Sequence, residues 1–208
     1  MYLFSRRAQA ANGKFGEAVP WALEAAAAAA GAGGLPISTW LSILSPDVGG
    51  IGWSILAESI AQLHEATLKY QASAEFHAAV AKGAGLMTAP PVDVLAQILH
   101  GGPTADGPPA LATVVRGTAT PGHLASALAA GVELAQAVTS ITGQSSIFLR
   151  NVTGDFGGVA WITGAASASD VDEANAKLAA DPSWLTLVDK AGAHFRGDTQ
   201  SQMLQRLG

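Results

Sequence analysis

The sequence has no cysteine, few charged residues and no run of basic residues. The absence of cysteine excludes disulfides, thiolate metal ligands and cysteine nucleophiles, and it is typical of a cytoplasmic protein. Charged residues make up 13% of the 208 residues and hydrophobic residues 49%, so the chain must bury much of its surface or associate with other chains. The net charge is −5, and the cations are scattered. This argues against a nucleic-acid partner, because neutralising phosphates needs clustered lysine and arginine.

The alanine-rich segment near the N-terminus is the candidate to consider for a membrane span. The alanine run Ala25–Ala30 is far shorter than the roughly 18–20 residues that a membrane helix needs, so we expect no membrane span. Met1 leads directly into a strand-like segment, without the basic and then apolar order of a signal peptide. We therefore expect a cytoplasmic protein.

What the sequence does contain is an internal repeat. Residues 38–87 align with residues 146–195 at a constant offset of 108, and 14 of the 50 positions are identical. An internal repeat of this length is stronger evidence for the fold than any local motif. The identical pairs include Asp47/Asp155, Gly49-Gly50/Gly157-Gly158, Trp53/Trp161, Ser59/Ser167, Glu65/Glu173, Lys69/Lys177 and Lys82/Lys190.

Each copy predicts the element order β-α-β-β-α-β. The first copy is predicted to have elements at 2–10, 14–30, 36–44, 51–57, 59–82 and 92–99, and the second at 111–118, 121–142, 146–152, 159–165, 169–195 and 199–207. We expect breaks in the second helix of each copy near Ala72-Ser73 and at Asp181-Pro182. Ser169 or Asp170 is the expected cap of the last helix. The polar segment 199–207 is expected to be an edge strand.

The domain boundaries follow from composition. Glycine and proline are concentrated in residues 101–110, which predicts a linker. We therefore expect residues 1–100 and 111–208 to be two ferredoxin-like repeats. Because both faces of the predicted sheets are largely apolar, we expect the repeats to form an intramolecular pseudo-dimeric α+β barrel.

The repeated unit resembles the dimeric α+β barrel superfamily, in particular its NIPSNAP and antibiotic-biosynthesis-monooxygenase-like branches. The motifs that carry the resemblance are Gly49-Gly50 or Gly157-Gly158 with a tryptophan three positions later, Ser59 or Ser167 opening a helix, Glu65 or Glu173, and Asp181-Pro182-Ser183-Trp184. The superfamily includes cofactor-free monooxygenases, haem-degrading enzymes, isomerases and peroxidases. The resemblance therefore implies a fold and leaves the activity open.

Haem is the cofactor that the resemblance brings into question. Haem-degrading relatives carry an axial histidine four residues after an aromatic residue on the second helix. The corresponding residues here are Val80, after Phe76, and Val188, after Trp184, so neither copy has this ligand. We predict no cofactor. We also predict no metal site, because the histidines are scattered and have no HxxxH or HExxH spacing.

Polar residues on apolar strands are the candidate ligand-binding residues. Arg150 and Asn151 stand, at the offset of 108, where the first copy has Ser42 and Ile43. Arg7 and Arg116 occupy similar ends of the first strand in each copy. A buried arginine needs an anionic partner, which could be a ligand, although structural pairing at a strand end explains the same pattern.

Trp40, Trp53, Trp161 and His194 complete the set of candidates. The tryptophans fit either the protein core or the aromatic wall of a pocket. His194 replaces Leu86 of the first copy and could either line a cavity or cap the end of a helix. We expect functional residues where the copies differ.

Two classes of function remain open. The first is a small-molecule-binding protein, with a cofactor-independent monooxygenase-like activity on an apolar aromatic compound as its most specific form. The second is a non-catalytic binding or assembly scaffold that forms homo-oligomers through apolar surface. A polar site in one copy would favour the enzyme.

Overall fold

In the computed structural model, which describes residues 1–103 and 107–208, the chain forms eight strands and six helices. They alternate in the predicted order, with the second helix of each repeat in two parts. In chain order, they are β1 (Tyr2–Gln9), α1 (Phe15–Gly33), β2 (Ser38–Ile43), β3 (Gly50–Ala57), α2 (Ile60–Gln71), α3 (Ala74–Ala81), β4 (Val92–His100), β5 (Leu111–Thr118), α4 (Leu124–Thr142), β6 (Ser146–Asn151), β7 (Gly158–Ala165), α5 (Ala168–Ala180), α6 (Pro182–Gly192) and β8 (Gln200–Leu207).

The strands hydrogen-bond in the order β1-β3-β2-β8-β5-β7-β6-β4, and this order closes into a barrel. Each copy therefore has the strand order fourth, first, third, second, which is the ferredoxin-like arrangement. This confirms the predicted fold class, an α+β barrel made from two tandem ferredoxin-like repeats. The expectation that the last strand is an edge strand is wrong, because β8 has a neighbour on both sides.

The chain divides into two compact units whose boundaries cut across two strands. The first unit comprises Met1–Leu95 and Gln205–Gly208, and the second comprises Ala96–Leu204. The residues of β4 and β8 are thus shared between the units. Residues 104–106 of the predicted linker lie outside the described residues, and the division into repeats at 101–110 stays a prediction.

The predicted helix breaks occur where side chains cap a new helix. Ser73 Oγ accepts a hydrogen bond from the Phe76 amide at the start of α3, and the Asp181 carboxylate accepts from the amides of Ser183 and Trp184 at the start of α6. The cap of α5 is Ser167, not Ser169 or Asp170 as expected. Asp170 lies three residues later and completes a capping box with Ser167.

The long helices α1 and α4 end in the same way, each at a glycine in the left-handed conformation, Gly34 and Gly143. Within the described chain, α4 is the one helix long and apolar enough to span a membrane by length and composition. In this structure it packs against β6, α5 and α6.

We call the strands of the first copy, β1–β4, the first sheet and those of the second copy, β5–β8, the second sheet. One face of each is covered by the helices of the same copy. In the first unit, Ile51 and Trp53 of β3 pack against Ala18 and Ala22 of α1, and Ile55 packs against Leu63 of α2. In the second unit, Phe148, Val159 and Trp161 pack against Ala135 and Leu128 of α4. Alternate residues on these strands therefore lie on the opposite face, which we call the helix-free face of each sheet.

The register of β2 and β6 corrects the sequence alignment. Thr39 lies opposite Trp53, but Phe148 lies opposite Trp161, so the equivalent residues in these strands are 109 apart and not 108. Arg150 therefore corresponds to Leu41, and Asn151 to Ser42. The prediction that Arg150 and Asn151 stand in place of Ser42 and Ile43 is therefore wrong.

The extra residue of the first copy lies in the hairpin between β2 and β3. Leu44 has a φ of 48°, and it is the one residue other than glycine with a positive φ in the described chain. Its side chain is 88% exposed. Beyond this residue, equivalent residues of the two copies are 108 apart. Asp47 and Asp155 occupy the same turn position, and the backbone carbonyl of each accepts a hydrogen bond from a glycine amide.

Candidate functional site: the polar face of the first sheet

The helix-free face of the first sheet carries two rows of residues across three strands. Ser5 of β1 and Ser38 of β2 both lie opposite Ser54 of β3, which gives a row of three serines. In the next row, Arg7 of β1 and Trp40 of β2 both lie opposite Gly52. All six residues are half-buried. We call them the serine–arginine patch.

Gly52 makes a slot in this patch. Neighbouring strands lie about 4.8 Å apart, so the backbones of Arg7 and Trp40 are separated by about 10 Å, with no side chain between them. A Cβ added at Gly52 would meet its nearest atoms at 3.7 Å and 3.8 Å, which is ordinary contact. The floor of the slot is therefore bare backbone, between an indole and a guanidinium.

Hydrogen bonds hold parts of the patch in place. Trp40 Nε1 donates to Ser54 Oγ at 2.9 Å, and Ser5 Oγ donates to the Val94 carbonyl at 3.4 Å. The first bond fixes the orientation of the indole ring over the sheet. A hydroxyl that accepts one bond can still donate another, so Ser54 keeps a donor for a ligand.

The second sheet has the same layout and different chemistry. The residues equivalent to Ser5, Ser38 and Ser54 are Val114, Ile147 and Ile162, in the order of the strands. Leu149 takes the place of Trp40, and Ala160 that of Gly52. Leu149 and Val114 are almost fully buried, whereas every member of the serine–arginine patch retains some exposure. The helix-free face is thus polar in the first copy and aliphatic at the equivalent positions of the second copy.

The two adjacent arginines of β1 have different surroundings. Arg6 forms a two-bond ion pair with Asp93, with both nitrogen–oxygen distances at 2.7 Å. These hydrogen bonds raise the pKa of Arg6 above its ordinary value, although burial acts in the opposite direction. Arg7 points to the other face and has no ion pair or hydrogen bond from its side chain among the described residues. It is available for a ligand.

Arg116 is the counterpart of Arg7, since it lies opposite Ala160 as Arg7 lies opposite Gly52. Its guanidinium donates a hydrogen bond to the Gln202 side chain of β8. The position equivalent to Arg7 in the second unit therefore carries an arginine whose guanidinium is already hydrogen-bonded within the protein.

The structure separates Arg150 from Asn151, because neighbouring residues of a strand point to opposite faces. Arg150 lies on the helix-covered face and donates from Nη2 to Gln97 Oε1 at 2.9 Å. Asn151 lies on the helix-free face at the hairpin, where its side chain fills the space next to Gly158. Asn151 and Arg116 share a face, but Arg150 does not join them.

Trp53 and Trp161 lie on the helix-covered faces, where each ties its sheet to a helix. Trp53 Nε1 donates to the Ala22 carbonyl at 3.0 Å, and Trp161 Nε1 donates to the Gly131 carbonyl at 2.9 Å. His194 also lies away from the patch, next to His123 at the start of α4. Of the predicted candidates, Arg7 and Trp40 are the two that the structure brings together in the first unit.

The positions considered for haem do not fit an axial ligand. Val80 of α3 and Val188 of α6 are partly exposed aliphatic residues, and a valine offers no lone pair to iron. Neither position therefore offers an axial ligand to haem iron.

Known proteins resemble this chain in structure but not in sequence. No family model matches the sequence, and no curated protein matches it. A candidate monooxygenase from Fusobacterium nucleatum subsp. nucleatum superimposes with a TM-score of 0.74 at 8% identity, covering 100% of this chain and 92% of that one. An anthrone oxidase-like protein gives 0.70 at 16% identity, covering 100% and 91%.

A third solved structure, a candidate monooxygenase from Lactobacillus acidophilus NCFM, gives a TM-score of 0.68 at 10% identity and covers 99% of this chain and 93% of that one. In all three comparisons almost the whole length of both chains is matched. The chain has the fold of the dimeric α+β barrel superfamily. At these identities, the likeness to other α+β barrels shows the fold alone, so the function of this one must be argued from its own residues.

Proposed function

We propose that the chain is a small-molecule-binding protein whose serine–arginine patch takes a hydroxylated or keto aromatic compound. The observation that carries this proposal is the row Trp40–Gly52–Arg7, which places an aromatic wall and an uncommitted cation on either side of a slot. An aromatic ring stacks favourably on an indole, and a guanidinium binds an oxyanion strongly.

The finer proposal is a cofactor-independent monooxygenase-like reaction. Such a reaction needs a substrate whose conjugate base passes an electron to O2 directly. Arg7 would lower the pKa of a bound phenol or enol, and the serine hydroxyls would donate hydrogen bonds to its oxygen. In an anthrone-type compound, the methylene carbon of the central ring becomes a carbonyl. One oxygen atom of O2 becomes the carbonyl oxygen, and the other leaves as water with the two methylene hydrogens.

Three kinds of support converge on this choice. The aromatic and cationic groups lie on one face of one unit, whereas the second unit has aliphatic residues there. Solved structures with the same fold are described as candidate monooxygenases or as anthrone oxidase-like. The serine hydroxyls of the patch also supply hydrogen-bond donors for the oxygen of such a substrate.

The experiment uses anthrone as the probe and compares matched variants of the two units. Anthrone oxidation in air is followed by absorbance and by incorporation of labelled oxygen, and binding by quenching of tryptophan fluorescence. Arg7→Met should weaken binding and turnover by at least about tenfold, because a charge-assisted hydrogen bond contributes about 1.5–3 kcal/mol. Arg116→Met should leave both nearly unchanged, since Arg116 is held by Gln202.

A second pair of variants tests the slot itself. Gly52→Ala introduces the residue of the second unit and should be tolerated, whereas Gly52→Leu should fill the slot and abolish binding. If the aromatic probe does not bind, or if Arg7→Met and Arg116→Met have the same effect, the proposal is wrong.

Assembly through apolar surface is the second candidate, and one observation favours it. The equivalent hairpin residues Val48 and Phe156 are both exposed, Phe156 by 91%. Sedimentation of the chain and of Phe156→Ser tests this. A self-association that the serine variant loses would support a homo-oligomer, and a monomer at all concentrations would exclude it.

A further inference from the structure

Two histidines that are 71 residues apart in the sequence meet in the second unit. His123 is the residue just before α4, and His194 follows the end of α6. Their Nδ1 atoms are 3.2 Å apart, and their ring centroids are 5.5 Å apart. His123 is exposed and His194 half-buried, so neither residue belongs to the core of the unit.

The backbone that places them is common to both units. The Thr120 amide donates to the His194 carbonyl at 2.9 Å, and Ala119 and Phe195 form a β-bridge beside it. In the first unit, the Ala11 amide donates to the Leu86 carbonyl at 2.8 Å in the same way. This backbone arrangement therefore forms without the imidazole side chains.

Both histidines are differences between the copies. His194 replaces Leu86, and His123 occupies the helix-start position of Lys14. Neither leucine nor a lysine side chain at neutral pH supplies a lone pair. The second unit has therefore gained two ligand-type side chains at adjacent places, where the first unit has none.

The distance between the two Nδ1 atoms fits one metal ion between two ligands. Imidazole nitrogens lie about 2.0–2.1 Å from Zn²⁺, so two of them at neighbouring tetrahedral or right-angled positions lie about 2.8–3.4 Å apart. The observed separation is 3.2 Å. We propose that His123 and His194 bind a late first-row divalent ion, such as Cu²⁺, Ni²⁺ or Zn²⁺, through their Nδ1 atoms.

A hydrogen bond between the two Nδ1 atoms requires that one of the two rings carries its proton there. Binding requires that ring to move its proton to Nε2, which leaves both Nδ1 lone pairs free for the ion. The carbonyl end of α6 attracts a cation at His194, and the amide end of α4 opposes one at His123, so the two helix ends roughly cancel.

The remaining coordination positions go to water. In the described ranges, 1–103 and 107–208, no group of three or more histidine, aspartate, glutamate or cysteine residues is placed to hold a metal. A site with two imidazoles and open positions follows the order of affinities for nitrogen ligands, so Cu²⁺ should bind more tightly than Ni²⁺ or Zn²⁺.

The test measures Cu²⁺ and Zn²⁺ binding to the full, untagged chain by calorimetry, and locates the ion from Cu²⁺ broadening of the histidine ring signals in NMR spectra. His123→Lys and His194→Leu introduce the residues of the first unit and should each weaken binding by at least about tenfold, because even the loss of a residue that only orients a ligand costs 10–100-fold. His64→Asn, at an exposed histidine elsewhere, should change nothing.

Loss of binding in both histidine variants, with retention in His64→Asn, supports the site. Broadening confined to the rings of His123 and His194 in the unaltered chain supports it without any variant, so a poorly folded variant does not decide the outcome. Failure of the unaltered chain to bind either ion, or binding that either variant retains, would overturn it.

Discussion

Gly131 of α4 offers a sharp test of the packing in the second unit. A Cβ at this position would lie 2.1 Å from Cζ of Phe148, 2.4 Å from Cε2 and 2.6 Å from Cε1. Phe148 is fully buried and its ring lies against Trp161, with centroids 5.1 Å apart, so it has no space to move into. Gly131→Ala must therefore push the helix and the strand apart.

The magnitude follows from two opposing terms. Overpacking a well-filled core costs about 1–3 kcal/mol, whereas replacing glycine by alanine inside a helix gains about 0.5–1 kcal/mol. The displaced helix would also strain the hydrogen bond from Trp161 Nε1 to the Gly131 carbonyl. We expect a net loss of about 1–2 kcal/mol in the free energy of unfolding.

The assay is urea denaturation followed by circular dichroism and tryptophan fluorescence. The matched control is Gly31→Ala in α1, where the new Cβ meets nothing within 4 Å, and which should stabilise by about 0.5–1 kcal/mol. Phe148→Leu in the Gly131→Ala background should recover part of the loss. If Gly131→Ala proves as stable as Gly31→Ala, the packing described for Phe148 is wrong.

Two other predictions concern charged groups. Asp93→Asn breaks the ion pair with Arg6 and should cost about 0.5–1 kcal/mol, a value limited by the partial exposure of both side chains. The cost should shrink in 1 M salt, and an unchanged cost there would contradict an electrostatic origin. The pKa of Asp181 is lowered by hydrogen bonds from the Ser183 hydroxyl and the Trp184 amide. Its charge should stabilise the fold above the ordinary carboxyl range, near pH 4, and this contribution should disappear as the pH falls through the lowered value. Comparing the urea midpoints of the chain and Asp181→Asn at neutral and acidic pH measures the difference, which should be absent in acid.

The sequence predicts the architecture well because the repeat, the glycine turns and the helix caps are local signals. The breaks near Ser73 and at Asp181 occur as expected, since a capping side chain is enough to start a new helix. The predicted cap of α5, Ser169 or Asp170, lies two or three residues beyond the true cap Ser167, because several small polar residues compete there.

The candidate site could be predicted only in part. Chance identities at Ser38/Ser146 and Leu41/Leu149 favour an alignment of the copies without a gap. An alignment without a gap conceals the extra residue of the first copy at Leu44. The offset in these strands is 109, so an alignment at 108 pairs each residue of β2 with a residue on the opposite face of β6. The replacement of three serines by aliphatic residues was therefore not visible. The histidine pair was not visible either, because loops 71 residues apart bring it together.

The division of β4 and β8 between the units has a consequence for how the two copies could change after duplication. Val92–Leu95 belong to the first unit and Ala96–His100 to the second, and β8 is divided in the same manner. A substitution in either strand therefore alters a strand that both units share. The helix-free face of β1–β3 lies within one unit, so its serines, arginine and glycine can differ from the aliphatic residues of the other unit without a change in either shared strand.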